Sequence, residues 1–203
     1  VLCDFGLSRA IDVDNPHMST LYVQTRWYRA PELIMGDEQS SFPSDLWSVG
    51  LIFAELLMIP PRKPLLMGND YIDQLNLITQ LVGTPSDADL ANGKPNAVQY
   101  LKQYFGNRKP LDLKATFAHA DPLAIDLLSK LLVFNPDKRL SAAEALNHPF
   151  LSDMYDEDEM GDCAVPFDFM FDDEHVHTRD IKQMIYTAVM RFNREVNQLH
   201  GDA

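Results

Sequence analysis

Hydrophobic and polar positions recur along most of this chain with the period of an α-helix. The pattern is cleanest near the end, where Ile181, Met184, Ile185, Ala188, Val189, Phe192, Val196 and Leu199 fall on one stripe after Thr178. That spacing predicts a final helix with one buried face. Asp70 heads another helix, with Tyr71, Leu75, Ile78, Leu81 and Val82 on its apolar side and Gly83 as its left-handed stop. It reads as a surface helix. From Asp45 to about Met58 apolar residues occupy nearly every face, with Ser44 placed as the cap and Pro60 and Pro61 as the stop. A helix of that kind belongs in the middle of a domain. Asp121, with Pro122 at the first helical position, starts a helix through Leu132, and Ser141 with Glu144 three residues on makes a capping box.

The remaining stretches break this rhythm. Val1 to Cys3 reads as the end of a strand, and Asp4 to Pro31 as a long loop without sustained period. The span from Thr84 to Ala118 is richer in Pro, Gly and Asn and reads as an insert, with one short helix between Asn96 and Phe105. Between Ser152 and Glu174 stand ten acidic residues and no Lys or Arg, the composition of a solvated loop. Helices far outnumber strands, so the expected fold is a mostly helical lobe.

Composition narrows the setting. The 203 residues, 46% of them hydrophobic, suffice for one packed domain with an extension. Thirty Asp and Glu against 17 Lys and Arg give a net charge of -13, which argues against wrapping nucleic acid or lying on anionic lipid and for basic partners. Two cysteines and no apolar leader point to an intracellular setting, in the cytoplasm or the nucleus. The longest apolar run, Val49 to Ile59, is interrupted by Glu55 and too short to span a bilayer. The chain starts with Val1 rather than Met, and a complete motif follows within three residues, so this start reads as a truncation.

That motif is Asp4, Phe5, Gly6. Ala30, Pro31 and Glu32 lie 26 to 28 residues beyond Asp4, inside the run Thr25, Arg26, Trp27, Tyr28, Arg29, Ala30, Pro31, Glu32. The two triplets at this separation are signatures of protein kinases. Phosphoryl transfer needs a hard oxygen ligand on the metal ions that bridge the phosphates, and an Asp at a strand end can supply one.

The chain as a whole resembles the mitogen-activated protein kinases. Thr20, Leu21 and Tyr22 stand at that family's doubly phosphorylated motif, with Leu21 where an acidic residue, Pro or Gly is usual. Ser44 to Gly50 match its central helix, and Asn135 to Arg139 with His148, Pro149 and Phe150 match its closing segments. The insert and the acidic stretch fit the same family. The resemblance implies a mainly α fold, the C-terminal lobe of the eukaryotic protein-kinase-like fold with a C-terminal helical extension. Residues 1–151 would be a partial kinase domain with an activation segment over 4–32 and an insert over about 84–118, and 152–203 the extension.

The same resemblance implies the site residues. Asp4 would bind Mg2+, and Cys3, Asp4, Phe5 and Gly6 would line the ATP pocket. Thr20 and Tyr22 would be phosphorylated by an upstream dual-specificity kinase. Each phosphate adds about -1.5 to -2 charge and three acceptor oxygens, and Arg26 and Arg29 would hold the one on Tyr22. Thr25 would face the catalytic Asp. The loop from Val23 to Arg29 would select substrates with Ser/Thr-Pro sites, because Pro carries no N–H to leave unpaired. Asp156, Asp158 and Glu159 would receive basic docking peptides of substrates and phosphatases. Glu32 and Arg139 would form a buried structural ion pair, and Asp45, buried on its helix, would accept hydrogen bonds from the catalytic loop's backbone.

No Gly-rich phosphate loop, strand Lys, helix Glu or His-Arg-Asp loop occurs in these residues, so the chain alone is expected to be inactive. The alternatives are another proline-directed relative, such as a cyclin-dependent kinase, or a truncated docking module. Arg26, the Tyr22 phosphosite and the terminal extension favour the mitogen-activated type.

Overall fold

The computed structural model describes residues 25–36, 42–91, 93–156 and 177–201. The chain forms two compact units, Val1–Glu159 and Met160–Ala203. Among the described residues there are eight α-helices, three 3₁₀ turns and no strand, the mostly helical lobe that the sequence pattern predicts.

In the first unit a 3₁₀ turn, Arg26–Tyr28, leads into α1 (Pro31–Ile34), which opens on the proline whose fixed φ suits a first helical position. The long helix α2 (Phe42–Leu57) follows. α3 (Tyr71–Val82) starts where the Asp70 carboxylate accepts the Asp73 N–H at 2.8 Å and ends at Gly83, whose φ of +81° suits glycine. α4 (Pro95–Tyr104) falls where one helix was expected in the 84–118 stretch. A second short helix there, α5 (Leu113–Thr116), has too little sequence for a period and is set by Asp112, which accepts the Ala115 N–H at 3.1 Å. Asp121 caps α6 (Pro122–Leu131) through the Leu123 N–H at 2.7 Å, and Ser141 and Glu144 close the expected capping box on α7 (Ala142–Leu146).

The main core cluster is built from Trp47, Leu51 and Ala54 of α2, Leu75, Ile78 and Leu81 of α3, and Ile125 and Leu128 of α6, and a smaller one joins Leu127 and Leu131 of α6 to Ala145 of α7. Leu90, Leu101, Phe105 and Phe117 of the 84–118 stretch belong to the main cluster, so that stretch packs into the lobe.

Two expectations for α2 change. Ser44 does not cap it: the helix starts at Phe42, which leaves Ser44 in the first turn, fully buried and donating from Oγ to Glu32 Oε1 at 2.8 Å. Nor is α2 buried all round. Val49 and Ile52 are each 50% exposed and Leu56 58%, at the 3- and 4-residue spacing of a single face. α2 packs on α6 from one side, and this outer face meets solvent.

The second unit contains α8 (Thr178–Gly201). Its stripe was expected to be buried, yet Ile181, Met184, Ile185, Val189 and Phe192 are exposed. Among the described residues this unit is a single helix, which offers no second surface of its own to bury a stripe against.

Candidate functional site

The 3₁₀ turn Arg26–Tyr28 is held to the loop before α3 by a set of long-range hydrogen bonds. Arg26 Nη1 donates to the Asn69 carbonyl at 2.9 Å, and the Trp27 indole N–H donates to the Gly68 carbonyl at 3.2 Å. Between them Gln74, fully buried on α3, works in both directions. Its Nε2 donates to the Trp27 carbonyl at 3.2 Å while its Oε1 accepts the Gly68 N–H at 2.9 Å. A Cβ on Gly68 would lie 2.5 Å from that oxygen and 2.6 Å from the Gln74 backbone, so only glycine permits this approach. Gln74 interrupts the apolar side of α3 between Tyr71 and Ile78. A polar residue at a core position was the signal that could have singled it out.

On the other side the turn is tied to α2. Ser48 Oγ donates to the Tyr28 carbonyl at 2.9 Å. Burial raises the pKa of the Tyr28 phenol, and a hydrogen bond to Glu55 and the Glu55 charge add to the rise. Glu55 Oε1 is buried without a hydrogen-bond partner.

Arg26 and Arg29 meet at one aromatic ring. Their Cζ atoms lie 5.2 and 5.4 Å from the centroid of Tyr71, the first residue of α3, and Arg29 Nη1 donates to the Tyr71 hydroxyl at 2.7 Å. Arg29 is buried, and the Nε of Arg26 is a buried donor with no partner. Two guanidinium groups brought together beside a ring, one with a donor unused, suit an oxyanion. Thr25, one residue before the turn, is exposed.

Glu32 and Arg139, 107 residues apart in sequence, form a bidentate pair with Nη1–Oε1 and Nη2–Oε2 distances of 3.1 Å each. Arg139 also donates to the carbonyls of Val133 at 3.0 Å, Phe134 at 3.4 Å and Pro43, and its Cζ sits 5.3 Å from the Trp47 ring centroid. The pair therefore joins α1, the start of α2 and the turn before α7.

Asp45 departs from its expected burial. It lies four residues before Val49 on the outer face of α2 and is exposed, because the first turn puts Ser44 rather than Asp45 toward Glu32. Enough protein surrounds its carboxyl that desolvation still raises the pKa.

The other expected positions divide by location. Cys3, Asp4, Phe5, Gly6, Thr20, Tyr22, Asp158 and Glu159 lie outside the described residues. Asp156 is described and exposed. Among the described residues there is no group of three or more His, Cys, Asp or Glu arranged to hold a metal ion, and no helix is long and apolar enough to cross a membrane.

Residues 1–151 match the family model described as "Protein kinase domain". The chain is 39% identical over 197 residues to "Mitogen-activated protein kinase 6" of Arabidopsis thaliana, covering 97% of this chain and 48% of that protein. "Mitogen-activated protein kinase 3" of the same plant is 40% identical over 193 residues, covering 95% and 50%. "Mitogen-activated protein kinase spm1" of Cytospora mali is 41% identical over 206 residues, covering 99% and 48%. The chain spans about half the length of the curated relatives it matches.

Proposed function

The chain belongs to the protein kinase domain family, and from that premise we propose that it serves as the substrate-binding lobe of a Ser/Thr kinase of the mitogen-activated type. The enzyme uses ATP and Mg2+, is directed to Ser/Thr-Pro sites, and is switched on when an upstream dual-specificity kinase phosphorylates Thr20 and Tyr22. The observation that carries this reading is the fastening of Thr25–Glu32 at three places. Gln74 and Gly68 hold Trp27, Ser48 holds the Tyr28 carbonyl, and Arg139 holds Glu32. A loop held on a rigid scaffold with its leading residue open to solvent can receive an extended peptide.

In this reading Asp4 would hold Mg2+, Cys3, Phe5 and Gly6 would line the ATP pocket, and the metal would supply neutralisation of phosphate charge for the transfer. Thr25 meets the reacting end of the substrate, and Arg26 and Arg29 take the Tyr22 phosphate. The exposed face of α2, with Asp45 at its N-terminal end followed by Val49, Ile52 and Leu56, seats the catalytic loop. Asp156, Asp158 and Glu159 attract basic docking peptides of substrates and phosphatases, acting mainly on association rate.

These 203 residues hold no Gly-rich loop, strand Lys or His-Arg-Asp loop, so the chain by itself is expected to transfer no phosphate. The test is a peptide array presented to the full-length enzyme after activation by a dual-specificity kinase. Peptides with Pro after the target Ser or Thr should be phosphorylated ahead of those with Ala there, and equal rates would end the proline-directed reading.

A further inference from the structure

We infer that Pro61, Arg62, Lys63 and Pro64, in the loop between α2 and α3, form a docking segment. Its partner is a protein module whose groove is lined by aromatic rings and rimmed by carboxylates, the chemistry of an SH3 domain.

Proline fixes its own φ near that of a polyproline II helix, and the residue before a proline is pushed to the same extended region. Pro61 and Pro64 act in the first way and Lys63, which precedes Pro64, in the second. Three of these four residues are therefore biased to one conformation. The Pro60–Pro61 bond is cis, and the docking segment is the four residues after it. With three residues per turn, polyproline II places Pro61 and Pro64 on one edge and Arg62 and Lys63 on the other two. An aromatic-lined groove takes the proline edge, and carboxylates on its rim reach the cations.

The surroundings leave the segment open to such a partner. Pro61, Arg62 and Lys63 are exposed and Pro64 is half-buried. Within the described residues, 60–64 make no hydrogen bond, so their carbonyls keep the capacity to accept from a partner. The arch is held at both ends. His119 Nε2 lies 2.7 Å from the carbonyl of Leu57, the last residue of α2, and Leu66 is buried in the main core. A short segment fixed on both sides loses little freedom when it is bound.

Arg62 and Lys63 also differ from other cations of this lobe. Lys102, Lys130, Lys138 and Arg139 are paired with Asp87, Asp126, Asp89 and Glu32. Arg62 and Lys63 have no carboxylate partner among the described residues. In a chain of net charge -13, two adjacent unpaired cations direct an acidic partner to this place and away from the rest of the surface.

The test immobilises the complete 203-residue chain and passes over it purified SH3 domains that differ in the number of carboxylates at the groove rim. Surface plasmon resonance reads affinity, and melting temperature is the control for fold. Acidic-rimmed domains should bind, more weakly as salt is raised, and neutral-rimmed ones about tenfold less well. Arg62→Glu with Lys63→Glu should weaken binding by about tenfold or more, since like charges then face each other. Pro61→Ala and Pro64→Ala should each weaken it by about fivefold, because a released backbone has to be ordered on binding. If Pro64→Ala lowers the melting temperature, Pro61→Ala, at an exposed position, carries the comparison. Failure of every acidic-rimmed domain to bind the unchanged chain overturns the inference. Binding that falls in the charge variant but stays unaltered without the prolines is bare charge attraction and overturns it as well.

Discussion

Replacing Arg139 by Ala should cost this lobe about 3 to 5 kcal/mol, the penalty for breaking a buried ion pair from one side. The side chain of Arg139 is fully buried, and Glu32 retains only 8% exposure. After the change the Glu32 carboxylate keeps the Ser44 hydroxyl at 2.8 Å and loses both guanidinium bonds. The Val133, Phe134 and Pro43 carbonyls lose their donor at the same time. An uncompensated charge and several orphaned acceptors in one buried place are what push the loss above the usual 1 kcal/mol of a single hydrogen bond. Urea unfolding followed by Trp fluorescence measures it. With an m value of about 2 kcal/mol/M, the midpoint should fall by about 1.5 to 2.5 M. Arg139→Lys should recover little, because one ammonium cannot reproduce the two-pronged contact while also serving the carbonyls. The Glu32→Ala, Arg139→Ala double variant should lose less than the sum of the single losses, since the second change removes the stranded partner. An Arg139→Ala midpoint equal to that of the unaltered chain would refute the argument.

Two further outcomes follow from groups whose surroundings are equally specific. Ser44→Asp keeps a good capping residue but would set a second carboxylate against Glu32, so it should destabilise by about 3 kcal/mol or more in the same urea assay. A neutral result would mean that Ser44 acts as a cap after all. Asp89 is held well below the usual carboxylate range, chiefly by its hydrogen bond from Lys138 and then by Ser86. A carboxyl whose folded pKa is depressed gives its stabilisation in full above the unfolded pKa, about 3.9, and loses it as pH falls toward the folded value. Stability should therefore decline below about pH 4, and Asp89→Asn should flatten that part of the profile; an identical acid limb in the variant would exclude Asp89 as its source.

Part of this protein could be read from its residues in order. The starts of α3, α6 and α7 follow from Asp70, Asp121 and the Ser141–Glu144 box, because a cap is made by a side chain reaching two or three residues along its own chain. The family could be read for a similar reason, since Asp4-Phe5-Gly6 and the Thr25–Glu32 run are contiguous words at a set distance. Ser44 shows where such reading stops. Its position before an apolar run looks like a cap, and only the arrival of Glu32 and Arg139 from 12 residues before and 95 residues after makes it a buried donor.

Gln74, Tyr71 and Asp45 mark the same boundary. Gln74 bridges backbone 47 residues away, Tyr71 collects arginines 42 and 45 residues before it, and Asp45 turns outward because its neighbour turns in. Helical period and capping depend on contacts within a turn, whose entropic cost is small and the same in any fold, so the sequence by itself determined the longer helices, the capped starts of α3, α6 and α7, and the family. Which polar side chain meets which partner depends on the closing of loops tens of residues long and on a core that admits one packing, and that was decided by tertiary structure alone.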